Sequence, residues 1–388
     1  MIYLDYAATT PMSDKALEVY VNVAKHYYGN ASSLHDTGSS AKQIKEASAK
    51  TIAKTLHAEA KDIHFTSGAS ESNFLAIQAL LDGCKRDGKH IITSEIEHAS
   101  VRDVFRKLEQ EGYDVSWLGV DKTGRIQIEE LKKLITDETV LVSIQHINSE
   151  IGTIQPIKEI GEFLQSKGVL FHSDAVQSFG KIVVDVQDLT IDAFSISAHK
   201  IYGPKGVGAV WMNPETEWRS MLDDHQQNKK LKSGTDNVSG IAAFATAAKE
   251  STADLTNEFL RVTNIKSEFI RKLSAVDQKF VIEGNSGNES PFILGLRFPG
   301  IEGQFLMLEC NQAGLAISTG SACQVGSDKP NRTMKALGRS DEEAREFVRF
   351  SFGKNVKEDD LDEIVVKIDT ILKRHFNKVR RPKVSAQS

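Results

Sequence analysis

The sequence has little cysteine: Cys84, Cys310 and Cys323 are the only three in 388 residues, and no two have the close spacing of a zinc site or a thioredoxin-type motif. A disulfide framework is not expected. An excess of positive charge is also missing, since 48 Lys and Arg stand against 53 Asp and Glu for a formal net charge of -5. No global attraction therefore draws the chain to nucleic acid or to an anionic lipid surface. No apolar run approaches the roughly 18 to 20 residues that span a bilayer. The start, MIYLDYAATT, has no basic segment followed by an apolar stretch. There is no internal repeat and no low-complexity segment, and the basic end KVRRPKVSAQS reads as a solvated terminus. The expectation is a cytoplasmic protein, with no nucleic-acid or membrane partner, that acts on a small molecule or another protein.

What is present points to a layered fold. With 40% hydrophobic and 26% charged residues, a chain of this length supports more than one core. From about residue 38 to residue 250, apolar runs of strand length alternate with longer helical patterns, the signature of parallel strands joined by crossover helices. Seven runs qualify: 63–65, 90–93, 114–118, 140–144, 169–173, 192–197 and 208–212. The predicted fold class is α/β, a mainly parallel seven-stranded sheet with flanking helices, plus a smaller α+β C-terminal domain. Phe259, Val262, Ile265, Phe269 and Ile270 recur at helical spacing between Leu255 and Leu273 and mark the boundary. The large domain is expected over 14–255, the small one over 1–13 and 256–388. The small domain is predicted to hold strands at 292–297, 315–318 and 347–352 and helices at 303–311 and 358–374.

Five segments carry candidate chemistry. In SISAHKIYGPKGVG, a strand runs into Lys200, flanked by Ser197, His199 and a glycine-rich turn. Held in a cleft with its charge disfavoured, such a lysine is a Schiff-base nucleophile, and the neighbouring hydroxyls and imidazole suit an anionic cofactor. A surface lysine in a turn is the bland alternative. FHSDAVQS weighs against it, because Asp174 and Gln177 follow a strand there, and an aspartate facing a pyridine nitrogen makes a pyridoxal ring an electron sink. Asp174 as an ordinary helix cap is the alternative. FTSGASESNFLAIQALL reads as strand, glycine turn and helix, so that Ala69 and Ser70 lie at a helix N-terminus suited to phosphate. It lacks the spacing of a P-loop, so a nucleoside triphosphate is not implied. His98 in SEIEHAS and Asn148 in HINSEIG also follow strands. All five loops therefore fall at the C-terminal edge of the sheet, where ligands bind in open α/β folds.

The ordered set YLDYAATTP, NASSLH, FTSGASESN, EIEHAS, HINSEIGTIQ, HSDAVQS, SAHKIYGPKG, SGT, STGSACQ and VRFSFG resembles the group I cysteine desulfurases of the NifS/IscS type, fold-type I enzymes of the class V aminotransferase-like group. The resemblance covers nearly the whole chain. It implies pyridoxal 5'-phosphate as cofactor, held covalently by Lys200 as a Schiff base. His98 stacks on the ring and assists proton transfer, Asp174 meets the pyridine nitrogen, and Asn148 and Gln177 lie on the ring-hydroxyl side. Ala69, Ser70, Ser197 and His199 hold the phosphate, with Thr235 reaching across from the second subunit of a homodimer. Arg349, with Asn148, binds the substrate. The strand residues Val348, Phe350 and Phe352 alternate inward and leave Arg349 on the other face. L-cysteine is the substrate and Cys323, on a Gly-, Ser- and Pro-punctuated loop, the sulfur-accepting nucleophile. The sulfur then passes to an acceptor protein, an iron-sulfur scaffold or a thiolation enzyme. No metal is bound beyond a transient iron-sulfur contact at Cys323. Cys310 and Cys84 read as packing residues.

The chain departs from this pattern in LDDHQQNKKLKSGT, where Asn228 and Lys232 stand in place of a glutamate and an arginine. Lysine cannot reproduce the planar fork of arginine. Ser149 replaces a second asparagine and Ser70 a threonine. The competing readings are an aminotransferase or a selenocysteine lyase on the same scaffold, and a non-catalytic platform for iron-sulfur assembly.

Overall fold

The computed structural model describes residues 1–220, 231–284, 287–320 and 330–380, which fall into two compact units. The larger comprises Thr9–Asn148 and Thr153–Asn257, the smaller Met1–Ala8, Ser149–Gly152 and Glu258–Ser388.

With strands numbered along the chain, the larger unit contains β2 (Ile63–Thr66), β3 (His90–Ser94), β4 (Asp114–Leu118), β5 (Thr139–Ser143), β6 (Leu170–Asp174), β7 (Ala193–Ser197) and β8 (Gly208–Met212). They form one sheet in the order β2-β8-β7-β6-β5-β3-β4. The ladders from β4 through β3, β5 and β6 to β7 are parallel, as the alternating pattern predicts. β8 departs from it and runs antiparallel to both neighbours. Only Ala198–Val207 separates β7 from β8. That is shorter than the dozen or more residues a parallel crossover takes, so the chain returns as a hairpin.

β3, β5, β7 and β8 are buried at every position, because helices cover both faces of the sheet. Ile92, Val142 and Phe194 enter one core with residues of α2 (Asp36–Thr55), α6 (Ile157–Ser166) and α7 (Val238–Thr252). Ile91, Leu141 and Ala193 enter the opposite core with α3 (Ala69–Gly83) and α4 (Ala99–Gln110). The helix α1 (Asp14–His26), not anticipated from its weak pattern, packs Ala16 against Ala243 and Ala247.

In the smaller unit, β9 (Val281–Glu283), β10 (Ile293–Arg297) and β12 (Phe347–Ser351) form an antiparallel sheet in the order β12-β10-β9. The N-terminal β1 (Ile2–Tyr3) pairs in parallel with β11 (Leu315–Ala316). The long amphipathic helix α8 (Leu255–Leu273) brings the Phe269 ring to 5.3 Å from Phe350 and 5.9 Å from Phe352. The unit ends in α12 (Asp360–Arg380), which starts two residues later than the predicted 358–374 helix and runs six residues past its end. No helix among the described residues is long and apolar enough to cross a membrane.

A buried ion cluster stitches β9 and β10 to the segment before β12. Arg297 Nε donates to Glu283 Oε1 at 2.5 Å and its Nη1 to Glu346 Oε2 at 2.8 Å, while Arg339 Nη2 donates to the second Glu283 oxygen at 2.8 Å. Removing one member leaves an uncompensated buried charge, a more damaging change than replacing the whole set. Glu283→Ala is expected to lower stability by about 3–5 kcal/mol in urea unfolding. A loss below about 1 kcal/mol would show that the arginines find other partners or water.

Candidate active site

The candidate residues of the larger unit sit on loops at the C-terminal ends of its parallel strands. β3 is flanked by β4 on one side and β5 on the other, so the chain reverses its direction of travel across the sheet there. The loops after β3 and β5 diverge from this point, which is where a crevice opens in such sheets. His98 lies in the first loop and caps α4, its Nδ1 accepting from the Ser100 backbone N–H at 3.1 Å, with Ser100 Oγ at 2.8 Å. A backbone N–H can only donate, so Nδ1 is unprotonated and the neutral ring carries its proton on Nε2. The ring is open to solvent on one side, while surrounding protein holds its pKa below the usual histidine value. Burial is the largest cause; Lys200 and Arg102 push the same way, whereas Asp174 and Asp103 oppose them.

Glu97 joins the two loops. Its carboxyl group receives Ser94 Oγ at 2.5 Å and the Gln145 N–H at 3.0 and 3.1 Å. Complete burial pushes it up to about 8, with Asp174 adding to the effect, so it is protonated at neutral pH. Asn148 Nδ2 and Gln145 Nε2 both donate to Ile96 O, at 3.1 and 2.6 Å. Asn148 is thereby held beside the His98 loop and is almost wholly buried.

β6 ends on Asp174, which is buried and accepts from Asn73 Nδ2 at 2.8 Å on Oδ2 and from Val176 N at 3.0 Å on Oδ1. Gln177 follows on the next turn, and its Oε1 accepts from the buried Lys181 Nζ at 2.6 Å. Lys181 therefore fixes which way the Gln177 amide faces and turns its NH2 away from the cation.

The hairpin between β7 and β8 carries Ser197, His199 and Lys200. Thr10 Oγ1 donates to His199 O at 3.0 Å and accepts from Tyr202 N at 2.7 Å. Tyr202 is held at φ 68°, a conformation that favours glycine, so the hairpin is over-determined by its neighbours. His199 Nδ1 lies 3.2 Å from Thr9 Oγ1. Burial, followed by Lys200, Lys205 and Lys181, pushes the His199 pKa down to about 4. The ring is therefore neutral, and a group of cations surrounds it.

Beside this hairpin, the N-terminus of α3 has Gly68 at its cap with no side chain bonded to it, leaving Ala69 and the exposed Ser70 at an open helix end. A Cβ on Gly208 would sit 2.8 Å from Gly68 Cα, so glycine is required where the two backbones meet. Ser197 Oγ is buried without a hydrogen-bond partner among the described residues. An uncapped helix end, an orphaned hydroxyl and nearby cations fit a phosphate monoester. Lys232, which stands where arginine is expected, donates to Glu71 Oε2 at 2.8 Å. It thus neutralises the only acid in the first turn of α3 and lowers that carboxyl's pKa against the opposing effect of burial. A lysine meets this one-to-one contact without the fork of an arginine.

Thr235 is exposed on the segment before α7. Arg349 belongs to the smaller unit and is buried on β12, all five residues of which are covered. Its Nη2 pairs with Asp5 at 2.7 Å and its Nη1 donates to Ser149 O at 2.8 Å. Cys323 and Asn228 lie outside the described residues. Cys310 is fully buried on α9 (Gly303–Gln312), and burial pushes its thiol up to about 12; it packs, as expected. Cys84 is half-buried, with its thiol 3.8 Å from Arg86 O. No group of residues suited to a metal ion occurs among those described.

Asn73, Ser100, Glu97, Lys181 and Asp5 were not singled out from sequence. Lys181 had a usable signal in its i, i+4 spacing from Gln177, and Glu97 in its place beside His98. Asn73 had none, since its partner Asp174 is 101 residues away.

The class-V aminotransferase family model matches residues 2–364. A protein of Bacillus subtilis (strain 168), provisionally named cysteine desulfurase NifS, is 44% identical over 94% of this chain and 93% of its own length. The cysteine desulfurase IscS of Dictyoglomus turgidum (strain DSM 6724 / Z-1310) is 35% identical over 96% of this chain and 95% of its own length. Among solved structures, a NifS-like protein superposes with a TM-score of 0.89 at 31% identity, covering 96% of this chain and 99% of that one. With a family match over most of its length and relatives of this similarity, the chain belongs to the aminotransferase class-V family.

Proposed function

We propose that the enzyme is a cysteine desulfurase: it takes the sulfur of L-cysteine onto Cys323 as a persulfide and releases L-alanine, using pyridoxal 5'-phosphate held by the larger unit. The observation that carries this reading is the hydrogen-bonded link from Asp174 through Asn73 and Ser100 to His98, with Lys200 at the end of the strand next to that of Asp174. The similarity to cysteine desulfurases along the whole chain selects the chemistry.

When bound, pyridoxal phosphate supplies an electron sink for charge developing at the substrate Cα. Lys200 offers its amine for attachment, and Asp174 keeps the pyridine nitrogen protonated. Gln177 and Asn148 donate toward the ring oxygen, the first oriented by Lys181. Ala69, Ser70, Ser197 and His199 hold the phosphate, with Thr235 of a second copy completing the set in a homodimer. His98 carries its exchangeable proton at Nε2, on the side of the ring away from its cap. Arg349 offers a guanidinium to the substrate carboxylate. The Cys323 thiolate attacks the sulfur of the substrate; the C–S bond breaks, an S–S bond forms, and Cβ takes up a proton to become the alanine methyl. Cys323 then passes the sulfur to an acceptor protein, an iron-sulfur scaffold or a thiolation enzyme.

The purified protein is expected to be yellow, and Lys200→Ala to lose the visible band; a colourless wild type that added cofactor does not restore would remove the basis of the reading. Sedimentation is expected to show a homodimer, and Thr235→Ala to weaken cofactor binding. A monomer with full cofactor affinity would contradict the role given to Thr235.

The decisive experiment measures alanine and protein persulfide together from L-cysteine and a reductant. Cys323→Ala should still change colour on adding cysteine and should lose both products, by at least about a hundredfold, whereas Cys84→Ala and Cys310→Ala keep most of the activity. Release of alanine and sulfide by Cys323→Ala at the wild-type rate would favour a selenocysteine lyase or direct elimination instead.

A further inference from the structure

One buried side chain links Asp174 to the loop that carries His98. Asn73, on the second turn of α3, has no solvent exposure. Its Nδ2 donates one hydrogen to Asp174 Oδ2 at 2.8 Å and the other to Ser100 Oγ at 2.9 Å. Its Oδ1 has no hydrogen-bond partner among the described residues. That orphan is informative, since turning the amide over would bring Oδ1 against the Asp174 carboxylate. The structure accepts a lone buried carbonyl to keep both N–H groups where they are, although such an atom is costly. Ser100 Oγ, having accepted from Asn73, stands 2.8 Å from His98 Nδ1, which already accepts the Ser100 backbone N–H. With Nδ1 held unprotonated, the hydroxyl hydrogen points toward it.

The geometry points to Asn73 as a positioning residue that couples Asp174 to His98: a one-directional chain of hydrogen bonds, Asn73 to Ser100 to His98, holds the ring as the Nε2–H tautomer, while the other arm of the same amide fixes the Asp174 carboxylate. The amide links two loops through a third element, so displacing either loop breaks a bond to the other. Protonating Nδ1 would require the Ser100 hydroxyl to turn round and the α4 cap to open. The chain therefore keeps His98 neutral and ready to exchange its proton only at Nε2. Its catalytic meaning rests on the proposed roles of Asp174 and His98; its effect on the imidazole does not.

The charges acting on His98 are Asp174 at the end of β6, Lys200 on the β7–β8 hairpin, and Arg102 and Asp103 on its own helix. Ser100→Ala leaves all four in place, whereas Asn73→Leu also removes a donor from the Asp174 carboxylate. The test is nuclear magnetic resonance of the full-length enzyme labelled with ring-15N histidine, His98 being assigned by its absence in His98→Gln. In the wild type, the His98 resonances should be those of the Nε2–H form. In Asn73→Leu, which keeps volume and removes both donors, a population protonated at Nδ1 should appear, and the titration midpoint should rise by about half to one unit, the worth of one hydrogen bond. Ser100→Ala, on the partly exposed first turn of α4, cuts the same chain at its second link and should raise the midpoint likewise, so the result does not depend on how well Asn73→Leu folds. With cofactor bound, Asn73→Leu should lower kcat for cysteine about tenfold with little change in KM. A His98 tautomer and midpoint unchanged in both variants would overturn the coupling, whatever reaction the enzyme catalyses.

Discussion

The Asp174 carboxylate is the constraint on which the arrangement of the larger unit depends. A carboxyl group at the buried end of a central strand persists only if hydrogen bonds replace the water it has lost. Asn73 and Val176 supply two of those bonds from the protein itself. To deliver Asn73, α3 must bring its second turn to the Asp174 end of β6. That places its first turn, with Ala69 and Ser70, against the β7–β8 hairpin at the Gly68 and Gly208 contact. The loop after β3 is fixed in turn, because Ser100 takes the other Asn73 hydrogen and caps its helix through His98. One buried carboxyl group therefore ties together three elements, each bearing a residue proposed to touch the cofactor.

Protonation states follow from the same burial. Glu97, His172 and His146 are all deep in the protein and all driven toward their neutral forms, to about 8, 3 and 4 respectively. His172 uses both ring nitrogens internally, 2.8 Å from Ser143 Oγ and 3.0 Å from Ser195 Oγ, and so serves as a neutral spacer between strands rather than as a base. His199 is neutral as well, and a proton on it would add to the charges of Lys200, Lys205 and Lys181. Asp174 lies on the side proposed for the ring nitrogen, and Lys200 and Lys205 lie on the β7–β8 hairpin that meets the start of α3. The polarity of pyridoxal phosphate has the same sense, with a cationic pyridinium at one end and a phosphate dianion at the other.

Much of the fold was legible in the sequence because buried parallel strands leave short, nearly continuous apolar runs and amphipathic helices repeat at their own period. The runs at 114–118 and 208–212 coincide with β4 and β8, and the helix at 255–273 with α8. The direction of β8 was not legible, since an apolar run carries no sign; the brevity of the Lys200 turn was the clue that it had to reverse. The residues of the crevice were legible where a strand end meets a polar residue, as at Asp174, His98 and Lys200. They were not legible where function depends on a contact distant in sequence, as between Asn73 and Asp174 or Arg349 and Asp5.

Arg349 shows what alternation in a strand leaves open. Alternation sorts side chains by face, and the reading that places Phe350 inward assigns Arg349 to the opposite face without saying whether that face is buried. In a strand covered on both sides the outward face is also interior, and a guanidinium there must be paired. Asp5 and the Ser149 carbonyl pair it, and Asp5 is carried into place by the parallel bridge of its own backbone to Ser351 on the same strand. Lys232 and Glu71 repeat the logic near the surface, where the pair is half-exposed and correspondingly less costly to rearrange. The two cases differ in what substitution can do. The near-surface contact tolerates a lysine for an arginine because a single N–H suffices, whereas Arg349 uses two nitrogens at fixed angles on two different acceptors. A lysine at 349 would leave Asp5 or Ser149 unsatisfied in the interior, so it is the buried arginine, not the departure at Lys232, whose chemistry the fold cannot replace.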